Sequence, residues 1–146
     1  MDPLEYLEAP SNLAFARLEA ANGDLSVLPV PLQTLVLIYS AQGVIDNGGF
    51  QYFFESDWPG SPSYSVFTNA YRAIGASQIA VAIDQATALF PFDEPHLKTE
   101  LRVQFLESLP DDHPLNQLED VACGNESVWL QLSEYVRQNA QVFSCT

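Results

Sequence analysis

Positive charge is scarce in this chain. Only 5 of its 146 residues are Lys or Arg, against 19 Asp or Glu, which gives a formal net charge of −14. Set against a nucleic-acid backbone, such a surface opposes like charge with like, so direct DNA or RNA binding is not expected. Cysteine is rarer still. Cys123 and Cys145 are the only two; they have no metal-ligand spacing and are expected to remain thiols in a reducing compartment. No apolar run approaches the ~18 residues of a membrane span. The opening Met-Asp-Pro-Leu-Glu has neither the basic region nor the apolar core of a signal peptide, so the cytoplasm is the expected location. The Asn125-Glu126-Ser127 sequon then reads as a chance match.

The signatures of catalysis are missing as well. His96 and His113 are the only histidines, and Asp112 beside His113 is not a dyad, because loop neighbours seldom face each other. There is no Gly-x-Ser-x-Gly elbow, and no His-Glu-x-x-His, Walker loop or dinucleotide glycine pattern. Asp93-Glu94 and Asp111-Asp112 lack the alternating oxygens and turn glycine of a calcium loop. Glu119 and Asp120, with Cys123 and His113, come nearest to a metal cluster. No catalytic residue, metal or cofactor is expected, and the chain does not read as an enzyme.

What is present is enough for a core. Hydrophobic residues make up 47% of the chain and charged ones 16%, so composition does not impose disorder. The length suits one domain. The chain reads as all-α, a single-domain compact bundle of about six to eight helices. An N-terminal extension covers 1–27 and the main helical domain 28–146, the two forming one unit.

Residues 1–24 are expected as one or two short helices, with Ser11 as a cap and Asn22-Gly23 as the stop. Leu32, Leu35, Val36 and Tyr39 share one helix face, in a helix from Leu32 to Asp46 that is apolar nearly all round and hence central. Taken alone, the run Leu35–Tyr39 also suits a buried strand, but no partner strand presents itself. Two prolines and a glycine make Asp57–Pro62 a loop. Trp58 there reads either as a half-buried plug or as a surface anchor. Helices follow over 63–74 and 77–90, the second capped by Ser77 and carrying the stripe Ile79, Ala82, Ile83, Ala86 and Leu89. In a helix over 96–109, Leu97, Leu101, Phe105 and Leu109 are spaced by four. Glu100 and Glu107 share its solvent face, with Lys98 and Arg102 interrupting them. A short helix over 115–121 and a last one from Glu126 to about Val142 complete the chain.

The organising stretch is Val44 to Phe54, where a double glycine separates the apolar helix from an aromatic cluster. Asn47-Gly48-Gly49 reads as a helix–turn–helix corner, with Gly48 just past a helix end. Phe50, Phe53 and Phe54 are expected in the core, with Gln51 and Tyr52 on other sides.

The run Asp-Asn-Gly-Gly-Phe-Gln-Tyr-Phe-Phe-Glu-Ser resembles the signature of a bacterial family of DNA-mimic-like proteins. Tyr71–Ala76, Ala86–Phe90 and Leu132–Val136 match in the same order. The resemblance covers most of residues 28–143, and implies an α-helical fold, often a homodimer, and a structural role for Asn47, Gly48, Gly49, Phe50, Gln51, Tyr52 and Phe53. It also implies a DNA surrogate whose acidic surface engages a DNA-binding protein.

The acids provide the candidate surface. Asp93, Glu94, Glu100, Glu107, Asp111, Asp112, Glu119, Asp120, Glu126 and Glu134 crowd less than a third of the chain, opposed only by Lys98 and Arg102. A carboxylate offers Arg and Lys much the geometry of a phosphate. The expected function is an acidic protein-binding module, a DNA mimic that occupies the DNA-binding face of a basic transcription regulator. The alternatives are an immunity- or antitoxin-like protein capping a basic toxin or nuclease, a small enzyme with a pocket around Gly48, Gly49, Tyr52 and Trp58, and an oligomerisation scaffold.

Overall fold

A computed structural model describes residues 2–143. It is all-α, with no strand among the described residues. Seven α-helices follow in order: α1 (Pro3–Ala20), α2 (Val30–Glu55), α3 (Tyr64–Ala73), α4 (Ser77–Thr87), α5 (Thr99–Glu107), α6 (Pro114–Leu118) and α7 (Ser127–Gln138), with short 3₁₀ turns between and after them. Helix α2 is the axis. It packs on α1, α3, α5, α6 and α7, while α3 and α4 pair closely and α7 also packs on α1. From Pro31 to Ile45 no residue of α2 is fully exposed, as an all-round apolar helix requires. Pro31 sits in its first turn, where a missing N–H costs nothing. The stripe Ile79, Ala82, Ile83 and Ala86 is buried, with small residues that let α3 and α4 approach.

Three local expectations are corrected. First, the cap of α1, which is a single helix running through Pro10, is Asp2, accepting from the Leu4 N–H. Ser11 is no cap: it is buried mid-helix, and its hydroxyl donates to the Glu8 carbonyl. An interior proline costs a helix ~3 kcal/mol. Burial of Leu7, Ser11 and Ala14 and packing on α2 and α7 offset it. Second, Ser77 does not cap α4, whose cap residue is Ala76 without a side-chain bond. Third, Arg102 does not interrupt the solvent face of α5, and of the residues spaced by four only Phe105 and Leu109 pack on the core. Leu97 and Leu101 are 56% and 44% exposed, whereas Arg102 and Leu106 are buried. The reason lies at the far end of α2, described below.

Asn47-Gly48-Gly49 bends α2 without turning the chain back. Helix resumes at once, with Gly48 at φ −152° and Gly49 at φ 68°, ψ −162°. The left-handed position is therefore Gly49, in a region essentially reserved for glycine. A long arm (30–47) and a short arm (50–55) result. The short arm buries Phe50, Phe53 and Phe54 completely. Phe53 lies 5.0 Å from Phe54, 5.2 Å from Phe67 and 5.6 Å from Trp58, ring centre to ring centre. Trp58 is the half-buried plug, donating its indole N–H to the Phe53 carbonyl.

Candidate functional site

Both ends of the short arm are held from outside it. At its start, the carboxylate of Glu119 lies where a side chain on residue 49 would be: a Cβ on Gly49 would stand 1.6 Å from Oε2. The Phe50 N–H favours the charged carboxylate, as the positive end of a helix should. Burial, and the neighbouring Asp120 charge, act against it more strongly, so the Glu119 pKa is raised. At the arm's other end, Arg102 is 1% exposed. Its Nε donates to the Phe54 carbonyl at 2.7 Å, and its terminal nitrogens to Pro95 at 2.7 Å, Ser56 at 3.3 Å and the Asp57 carboxylate at 2.9 Å. This fork satisfies carbonyls that a helix end leaves open, and it turns Arg102 inward in place of the leucines. Asp57 also accepts from the Thr99 hydroxyl, and that bond, then Arg102, holds its carboxyl below the usual range.

A buried polar chain ties the long arm to the 119–124 turn. The Tyr71 hydroxyl donates to Gln42 Oε1 at 2.9 Å; Gln42 Nε2 donates to the Ala122 carbonyl at 2.7 Å and to Asp46 at 2.8 Å. Asp46 also accepts from the Gly124 N–H at 2.8 Å. Burial pushes the Tyr71 phenol far above its ordinary value, so it remains a donor. Cys123 is exposed, and desolvation followed by the charges of Glu119, Asp46 and Asp120 pushes its thiol up. His113 caps α6, its Nδ1 accepting from the Leu115 N–H, and meets Phe105 edge-on. Cys145 lies outside the described residues. Among those described, no three His, Cys, Asp or Glu side chains converge as a metal site.

The two end-holders titrate in opposite senses. Asp57, depressed in the fold, contributes stability above its unfolded pKa and loses it as pH falls. Glu119, raised in the fold, contributes stability below its unfolded pKa that is lost as pH rises through the folded value. Glu119→Gln keeps an acceptor beside Phe50 and removes the buried charge. Its expected effect is unchanged or higher stability at neutral pH, with a flatter stability curve from pH 4 to 7 in urea titrations; a marked loss at pH 7 would show that the charge itself holds the arm.

Of the ten acids singled out above, nine are exposed: Asp93, Glu94, Glu100, Glu107, Asp111, Asp112, Asp120, Glu126 and Glu134. Glu119, half-buried against Gly49, is the exception. Glu100 and Glu107 lie on the outer side of α5, opposite Arg102 and Leu106, and Glu134 on the outer side of α7. Both helices pack on α2, and α7 packs on α1 as well. A second acidic stripe escaped the sequence reading. Glu5, Glu8 and Glu19 are all exposed on α1, within about 60° of one another at about 100° per residue. Their spacings of three and eleven carry that signal, but only once α1 is known to continue through Pro10.

The cations do little to oppose this charge. Arg102 is buried against Asp57 and Arg72 pairs with Asp84. Lys98 lies over the Phe92 ring and Arg137 over Tyr6. Among the described residues, only two of the nineteen carboxylates are ion-paired, Asp57 and Asp84. The residues named for a catalytic pocket do not meet in one place: Tyr52 lines an open basin with Val44, Asn47, Glu55 and Ser56, whereas Trp58 lines a different, apolar hollow with Phe15, Leu18 and Phe67.

These features define an all-α acidic bundle built on a bent central helix. The chain belongs to the DMP19-like protein family, whose model matches residues 26–139. This is the DNA-mimic-like family that the sequence resembles; α1 precedes the matched region. No curated protein and no solved structure matches the chain. Among the described residues no helix is long and apolar enough to cross a membrane.

Proposed function

We propose that this protein is a non-catalytic binding module that occupies the DNA-binding face of a basic protein in the cytoplasm, presenting carboxylates where DNA presents phosphates. The observation that carries the reading is the surplus of exposed carboxylates without an ion-pair partner among the described residues, many of them on regular helices. Helices fix such charges in advance, which reduces the ordering cost of binding. Glu100 and Glu107 stand about 10.5 Å apart along α5, close to three steps of about 3.4 Å along one DNA strand. Where the partner is a regulator, occupancy keeps it off its operator.

Capture with the tagged full chain from host lysate, washed at low and at high salt, tests the reading. The expected result is a basic DNA-binding protein that salt releases and duplex DNA displaces. A single toxin-like nuclease held through high salt would favour an immunity role, and a partner that binds DNA and this protein together would contradict mimicry.

A further inference from the structure

Most of the Asn-Gly-Gly-Phe stretch has a structural duty. Phe50, Phe53 and Phe54 fill the core, Gly49 makes room for Glu119, and Asp46 anchors the 119–124 turn. Tyr52 does not fit that account, being 53% exposed. Its ring is nevertheless placed: it lies over Gly48, where a Cβ would come within 2.1 Å of two ring carbons. With Val44, Asn47, Glu55 and Ser56 it lines an open basin of about 520 Å³.

Besides the Tyr52 hydroxyl and the second Asn47 amide N–H, that basin offers free acceptors. Glu55 takes the Gln51 amide on Oε1 at 2.9 Å, and its Oε2 has no hydrogen-bond partner among the described residues. Asn47 uses its Nδ2 on the Gly43 carbonyl at 3.0 Å, which leaves its Oδ1 as an acceptor. The Ser56 hydroxyl donates to the Tyr52 carbonyl at 2.7 Å and so offers no donor to the basin. An aromatic ring, a carboxylate oxygen and an amide oxygen, in a chain of net charge −14, select a cation with several N–H groups. A planar guanidinium stacks on the ring while its edge bonds to the carboxylate; a compact, strongly hydrated ammonium does this less well.

We propose that the Tyr52–Glu55–Asn47 basin is a seat for an arginine side chain of a protein partner. This rests on the reading of the chain as a binder of basic proteins, and gives that binder a specific anchor within its diffuse charge. Gly48 then serves recognition: it lets Tyr52 lie at the kink, beside Glu55.

The test uses the full chain and two peptides of equal length and charge, one of Arg-Gly repeats and one of Lys-Gly repeats, titrated by calorimetry with backbone amide shifts followed by NMR. The arginine peptide is expected to bind about fivefold or more tightly than the lysine peptide, with the largest shifts between residues 47 and 56. Tyr52→Ala and Glu55→Gln should remove that preference, and Tyr52→Phe should keep it, since the ring suffices. Gly48→Ala, which displaces the ring, should behave as Tyr52→Ala. The remote Glu107→Gln should weaken both peptides alike and leave the ratio unchanged. A ratio near one, or a ratio that survives Tyr52→Ala, overturns the seat and leaves the acidic-surface reading standing. Failure of both peptides to bind overturns both.

Discussion

Replacing Arg102 with methionine is expected to lower stability by about 3–5 kcal/mol, enough to unfold much of a marginal domain. The expectation runs against a count of charges, since removing one cation from a chain with so few looks like a surface change. Arg102 is not at the surface: it is 1% exposed and bonds to the carbonyls of Phe54, Ser56 and Pro95. Methionine fills much of the space of the stem and supplies no donor. Bonds from a charged donor contribute about 1.5–3 kcal/mol each, and water recovers part of that at this site. Asp57, 64% exposed by its side chain, is not left as a buried charge, so the loss comes from the carbonyls rather than from the ion pair. Arg102→Lys keeps the charge but not the fork, and should fall between. Urea unfolding midpoints at constant slope measure the series; a midpoint shift worth less than about 1 kcal/mol for Arg102→Met would refute the account of α5's register.

Gly49→Ala is expected to cost about 2–4 kcal/mol, by two separable routes. Backbone at φ 68°, ψ −162° strains any residue with a Cβ. That Cβ would also stand 1.6 Å from Glu119 Oε2, so the carboxylate must leave the start of the short arm. A double-mutant cycle with Glu119→Ala separates the two. The cost of Gly49→Ala should shrink on the Glu119→Ala background, leaving the backbone strain alone. Equal costs on both backgrounds would mean that Glu119 adapts freely and does not hold the arm.

Features carried by local periodicity were legible in the sequence. The nearly all-round apolar character of the helix from Leu32 identified it as central, and the spacing of Phe50, Phe53 and Phe54 identified a core face. Features set by distant carbonyls and carboxylates were not. In the sequence reading three leucines and a phenylalanine are spaced by four and Arg102 falls on the solvent face, whereas Arg102 turns inward to bond Phe54, 48 residues away. Asn47-Gly48-Gly49 reads as a turn because its flexibility is local information and the Glu119 carboxylate that fills the bend is not. Ser11 reads as a cap because the packing of α1 on α2 and α7, which carries the helix through Pro10, is likewise absent from the local sequence. The acids themselves were visible by composition. Which of them face outward depended on those same registers, so Glu119 joined the candidate surface and Glu5, Glu8 and Glu19 were left out of it.

The most direct test of the proposed function is a competition titration. A labelled duplex is bound to the captured basic protein, and this chain is added while anisotropy reports the duplex. The account predicts full, one-site displacement of the duplex, weaker as salt rises, and weaker again for the Glu100→Gln, Glu107→Gln double variant. Anisotropy that stays high while the chain demonstrably binds would contradict it, because a protein that leaves DNA in place is not occupying the DNA face.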